Sequence, residues 1–274
     1  MTMPHRTIPF AGHGPSKSPP FAASLAAELI GTMILAFSVI GAAIFGAGFH
    51  DGQGGLNLGF VGVALALGLS VMAGAYAFGP LSGGHFNPAV TIGFCASGRF
   101  PWKQAPAYIC AQIVGGVAGS SLIAAIVAGA PGDALQKAEA AGFAATGWGP
   151  LSPGGYPLHS AFIVEFCTTA VFVAVVLSIT FHASTSAVAP VGIGLTLTLA
   201  ALVAIPVSNG SFNPARSIAS AVWGGPLAWE ELWLSLVAPT LGATVAGLVF
   251  AVLFFRTPNV RPHREPVSAS GGRI

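Results

Sequence analysis

Gly83-Gly84-His85-Phe86-Asn87-Pro88-Ala89-Val90 decides how this chain is read, because an altered copy stands 126 residues later as Asn209-Gly210-Ser211-Phe212-Asn213-Pro214-Ala215-Arg216-Ser217. In each copy a glycine-containing irregular stretch runs into a helix start. Asn87 and Asn213 are of a type that caps helix N-termini, and Pro88 and Pro214 suit the first helical position, where no N–H is needed. The sequence around both copies is strongly apolar. Irregular backbone at membrane depth is tolerated only where protein buries it or where it lines a wet cavity. Two such breaks in corresponding halves of one chain point to a pore or solute site near the middle of a bilayer.

Composition supports a chain built for lipid. Of 274 residues, 54% are apolar and only 7% charged, against roughly 25% charged in soluble domains. The 37 glycines suit helices that pack closely in a membrane. A span needs about 20 apolar residues, and six stretches qualify: 22–48, 57–79, 105–130, 157–182, 188–207 and 231–255. Two shorter apolar pieces, 88–97 and 214–223, follow the Asn-Pro-Ala triplets. They read as half-helices that enter from opposite sides. The expected fold class is therefore all-α and integral to the membrane, with six spans and two re-entrant half-helices.

The halves repeat. Ala26-Ala27-Glu28-Leu29-Ile30-Gly31-Thr32 opens span one, and Ile163-Val164-Glu165-Phe166-Cys167-Thr168-Thr169 occupies the same place in span four. Three spans per half is an odd number, so the repeats, 21–130 and 156–256, run in opposite orientations within a channel domain at 21–256. Residues 1–20 read as a disordered cytoplasmic arm and 257–274 as a polar cytoplasmic tail. In this arrangement Arg6, Lys17, Arg99, Lys103, Arg256, Arg261, Arg264 and Arg273 share one side, and Lys137 stands on the other. The positive-inside rule then places both termini in the cytoplasm and makes 131–155 a long outer loop.

Charges inside spans need a reason. Arg216 lies in an apolar segment, where a guanidinium is costly and functional by default; it offers donors to a solute and repels cations. Asn87 and Asn213 can each cap a half-helix and turn an amide N–H into a lumen. The positive ends of both helix dipoles meet there, which disfavours a cation and tolerates a neutral hydrogen-bonding solute. The carbonyls of Gly83, Gly84, His85, Asn209, Gly210 and Ser211 belong to extended backbone without a ladder partner, and passing solute can supply one. Cys95, Cys110 and Cys167 sit in apolar stretches and read as packing residues, with Cys95 a candidate for a place near the pore. No metal-ligand spacing, nucleophile–base set or phosphate loop is present. Cofactors, metals and nucleic acid are not expected, nor is an enzyme.

Ser82-Gly83-Gly84-His85-Phe86-Asn87-Pro88-Ala89-Val90-Thr91, with Ile205-Pro206-Val207 and Asn213-Pro214-Ala215-Arg216-Ser217, resembles the aquaporin, or major intrinsic protein, family. The likeness is strongest to its bacterial water-channel branch and covers about 22–255. It implies a right-handed bundle and a homotetramer with one pore per subunit, in a bacterial plasma membrane. It also implies that Glu28 and Glu165 support the re-entrant loops by accepting backbone N–H groups. The family's outer filter maps onto Leu67, Ala201, Gly210 and Arg216. Strict water channels resemble Phe, His, a small or polar residue and Arg there; glycerol channels resemble Trp, Gly, Phe and Arg. With neither an aromatic residue nor the His, the constriction is expected to be wider and more apolar, passing water and small neutral solutes such as glycerol, urea, hydrogen peroxide or metalloid acids. Strict water selectivity is the alternative, through residues of loop 131–155 that fill the space. A coupled inverted-repeat transporter is the distant one.

Overall fold

The computed structural model describes residues 19–47, 57–181, 185 and 187–255. The arm at 1–20 thus lies almost wholly outside the described residues, and the tail at 257–274 entirely so.

Nine α-helices are described: α1 (Phe21–Gly41), α2 (Gly59–Ser82), α3 (Pro88–Ala96), α4 (Ala105–Ala128), α5 (Ala134–Ala140), α6 (Leu158–Ile179), α7 (Ala189–Ser208), α8 (Pro214–Ala221) and α9 (Gly225–Phe255). A π-helical turn, Ala42–Ala47, continues α1. Six of these elements are long and apolar enough to cross a bilayer, and α3 and α8 are the two half-helices. Their order gives span, span, half-helix, span in each repeat. Two expectations need correction. The sixth span starts at Gly225 rather than at 231, because Glu230 and Glu231 depress its apparent hydropathy while Glu231 is in fact buried and accepts the Trp148 N–H at 2.7 Å. Segment 131–155 is also not all loop. It carries α5 and a 3₁₀ turn, Gly149–Leu151.

The inverted repeat shows in the packing. Gly68 of α2 and Gly194 of α7 face each other so closely that a Cβ on either would strike the other's carbonyl oxygen. Each lies 19 residues before its repeat's motif asparagine, so the axis relating the halves passes between them. Gly115 of α4 likewise abuts the Leu29 carbonyl of α1, and in the second repeat Gly242 of α9 abuts the Phe166 carbonyl of α6. Small residues set these approaches, as helix association in lipid requires. Large apolar side chains such as Leu65, Leu122, Leu199 and Leu253 are exposed on the outside of the bundle, the surface a lipid bilayer would cover. Cys110 and Cys167 are exposed as well, so they do not pack inside the protein.

Both long helices that precede a motif end in the same way. Pro80 in α2 and Pro206 in α7 each stand seven residues before the motif asparagine. Each helix then stops at a residue in the left-handed region, Gly83 at φ 92° and Asn209 at φ 63°, the conformation that glycine and asparagine adopt most readily at helix C-termini. Phe86 and Phe212 repeat that conformation at φ 50° and 53°. Non-glycine residues there cost free energy and persist only where their surroundings hold them.

Candidate functional site

Glu28 and Glu165 hold the two irregular segments. Both are fully buried. Glu28 Oε1 accepts from the His85 N–H at 2.9 Å and the Ser82 hydroxyl at 2.6 Å; its Oε2 accepts from the Phe86 N–H at 2.7 Å and from Gln112 Nε2 at 2.7 Å. Glu165 Oε1 accepts from the Ser211 N–H and the Ser208 hydroxyl, each at 2.6 Å, and Oε2 accepts from the Phe212 N–H at 2.9 Å. With their N–H groups committed to the carboxylates, the segments turn their carbonyls elsewhere. Those of Gly83, Gly84, His85, Asn209, Gly210 and Ser211 accept no hydrogen bond among the described residues. Unpaired backbone carbonyls in a buried region demand another partner.

The half-helices meet at their N-termini. Asn87 Oδ1 accepts the Ala89 N–H at 2.8 Å, and Asn213 Oδ1 accepts the Ala215 N–H at 3.0 Å. The two amides then cross. Asn87 Nδ2 donates to the Phe212 carbonyl at 2.8 Å, and Asn213 Nδ2 donates to the Phe86 carbonyl at 2.9 Å. The local sequence does not disclose this crossing, which spends one N–H of each amide on the opposite repeat and leaves the second N–H of each without a protein partner among the described residues. Pro88, Ala89, Pro214 and Ala215 are all buried around this junction. A narrow cavity opens on it, lined by Leu67, Val71, His85, Asn87, Ser211 and Asn213 among others.

A family profile described as Major intrinsic protein matches residues 15–250. The chain belongs to that family. Among similar members is Aquaporin Z of Photorhabdus laumondii subsp. laumondii, 44% identical over 230 residues, which cover 84% of this chain and 96% of the relative. Aquaporin Z of Rhodopseudomonas palustris is 45% identical over 227 residues, covering 83% and 91%. The X-ray structure of the aquaglyceroporin from Plasmodium falciparum superposes with a TM-score of 0.70 at 23% identity, over 85% of this chain and 96% of that one; at that identity the likeness concerns the fold.

In this major intrinsic protein the four positions expected to form the outer filter are not equivalent. Leu67 lines the cavity together with both motif asparagines, whereas Ala201, Gly210 and Arg216 are not among its lining residues. Ala201 is fully buried. Gly210 has φ 61°, and a Cβ there would come within 3.0 Å of the Phe212 ring. Arg216, 1% exposed, donates through Nη1 to the Ala144 carbonyl at 2.8 Å and to the Ser220 hydroxyl at 3.0 Å. Its Nε is buried without a partner among the described residues, so a donor of this guanidinium is uncommitted there. Segment 142–148 reaches in to meet it: Asn209 Nδ2 donates to the Ala145 carbonyl at 2.8 Å, and Phe143 is buried, its ring 6.1 Å from that of Trp223. Cys95 is buried in α3 but does not line the cavity.

The residue patterns above miss three features of the site. Gln112 joins the Glu28 cluster from α4 and also donates to Thr91 Oγ1 at 3.0 Å. A chain of buried hydroxyls runs Ser211–Ser217–Thr146–Ser235 at 2.7–2.8 Å per link. Phe86 and Phe212 supply the carbonyls for the crossed amides. Gln112 alone left a signal, as a polar residue in a span.

Proposed function

We propose that the chain forms a passive pore for water and small uncharged solutes, glycerol, urea, hydrogen peroxide or metalloid acids among them, and that it excludes protons and ions. The observation that carries this reading is the pair of carbonyl runs, three residues each, without protein partners and converging on two uncommitted asparagine N–H groups. A solute that both donates and accepts can move along the carbonyls and be met by Asn87 and Asn213 at the centre. A water whose oxygen accepts from both amides cannot also accept a proton from its neighbour, which breaks a proton wire. The N-terminal ends of α3 and α8 add positive potential at the same place, and Arg216 adds a full charge beside it. The names of the Aquaporin Z relatives point the same way.

Leu67, Ala201 and Gly210 form the small, apolar side of the filter in this reading, and Arg216 forms the polar side. Glu28 and Glu165 are scaffold residues. The pore works as a homotetramer in a bacterial plasma membrane with both termini in the cytoplasm, a topology that the distribution of Lys and Arg supports. A second reading, strict selectivity for water, is favoured by the closed packing at Ala201 and by the Phe212 ring against Gly210.

Stopped-flow light scattering on proteoliposomes separates the two. An impermeant osmolyte, glycerol and urea are compared for the wild type and for Leu67→Phe/Ala201→His. Fast shrinkage followed by re-swelling with glycerol or urea, lost in the double variant, is the expected result. Shrinkage without re-swelling would hand the assignment to the water-selective reading.

A further inference from the structure

Arg99 is an arginine that the pore reading leaves without a task. It follows α3 at the end of the bundle where α2, α3 and α6 terminate. Its Nη1 donates to the Leu177 carbonyl at 2.7 Å and its Nη2 to the Thr180 carbonyl at 2.9 Å. These oxygens belong to the last turn of α6, where carbonyls lack helical partners and a cation is favoured. The guanidinium also lies over three rings, with Phe94 at 5.0 Å, Phe250 at 5.6 Å and Phe181 at 5.8 Å to the ring centroids. It is thus fixed to the second repeat by two hydrogen bonds while it presses on Phe94 of the first. Contacts of this kind are stronger where water is excluded.

Phe94 carries the contact onward. Its ring stacks on the His85 imidazole at 4.6 Å and 21°. Phe100 meets His85 edge-on at 4.9 Å, and Tyr108 tilts against it at 5.5 Å. His85 Nδ1 is paired with Thr91 Oγ1 at 3.1 Å. Thr91 Oγ1 also receives Gln112 Nε2 and lies 3.1 Å from the Asn87 carbonyl. Nε2 has no protein partner among the described residues, and His85 lines the cavity. One side of the imidazole is therefore wedged in an aromatic pocket while the residue borders the lumen.

We propose that Arg99 is a positioning residue for the pore: through Phe94 it holds the His85 ring against the wall and so sets the width of the lumen at this end. The inference rests on the pore reading, since it assigns a role in conduction. Nothing in the second repeat matches it, because the position equivalent to Arg99, twelve residues after the motif asparagine, is Gly225. The control is thus peculiar to one mouth.

The test is water flux per reconstituted chain in proteoliposomes, with its activation energy, for Arg99→Leu, Phe94→Leu and each of these combined with His85→Ala. The expected result is a several-fold fall in flux and a higher activation energy for Arg99→Leu and for Phe94→Leu, as the released ring swings into the lumen. Both effects should vanish in the His85→Ala background. A flux loss in Arg99→Leu that persists without His85, or a Phe94→Leu variant that conducts like the wild type, would overturn the inference. Wild-type vesicles no faster than empty ones would instead count against the pore reading. In that event the His85 signal in solid-state NMR of isotope-labelled histidine decides the present one. It should broaden in both Arg99→Leu and Phe94→Leu, and an unchanged signal would overturn the inference.

Discussion

The two re-entrant segments share a plan but are secured differently. Residues 82–86 are held from inside the bundle: Glu28 takes four hydrogen bonds, one of them from Gln112 on α4. At the place in α9 that corresponds to Gln112 stands Pro239, which has no donor to offer, and Glu165 takes three. Residues 208–217 are held from outside as well, because segment 142–148 supplies carbonyls to Asn209 and Arg216 and a hydroxyl to Ser217. The second segment thus draws on a connection as well as on a span. Connections vary and move more readily than buried helices. The end of the bundle served by 142–148 can accordingly change with less disturbance to the scaffold than the opposite end.

Removing the carboxylates breaks both halves of this comparison and should have the largest effect. Glu28→Ala and Glu165→Ala each leave two buried backbone N–H groups unsatisfied, at about 1–3 kcal/mol per group. Folded yield and thermal unfolding in detergent should fall sharply for both, and further for Glu28→Ala, which also removes one of the two acceptors of Gln112 Nε2. Equal losses would mean that the α4 contact adds nothing. A smaller change sharpens the contrast. Gln112→Leu should cost about 1.5–3 kcal/mol, the range for a hydrogen bond to a charged group. Hydrogen exchange should then speed up at the Phe86 amide and stay unchanged at the Phe212 amide. Acceleration at both amides would show that the two cradles behave as one unit. The smallest effect belongs to the connection's own surface. Lys137 pairs with Asp133 at 2.9 Å on α5, where both side chains are largely exposed. Lys137→Ala should leave the melting temperature unchanged within error, since exposed ion pairs contribute little. A clear drop would show that α5 helps to hold 142–148 in place.

Much of this molecule was legible before any coordinates. Apolar runs of sufficient length located the spans, because lipid permits few other solutions. The paired motifs located the half-helices, because an N-cap asparagine followed by proline has one common use. The start of α9 was obscured because Glu231 is neutralised in its effect by a backbone donor 83 residues away in sequence, Trp148. The crossed amides were obscured for the same reason: Asn87 and the Phe212 carbonyl are 125 positions apart, and no local pattern encodes their meeting. In the fold, Leu67 lines the cavity, Ala201 is buried and a Cβ on Gly210 would crowd the Phe212 ring, contacts that an expectation drawn from family resemblance does not contain.

Those crossed amides also bear on how the chain is made. The Asn87 amide N–H and the Phe86 carbonyl find their partners at Phe212 and Asn213. Until the second motif has been synthesised, the Asn87 amide and the Phe86 carbonyl lack the partners that they have in the fold. This junction can settle only after most of the second repeat has emerged, so the last steps of assembly join the repeats at the point where solute will later pass.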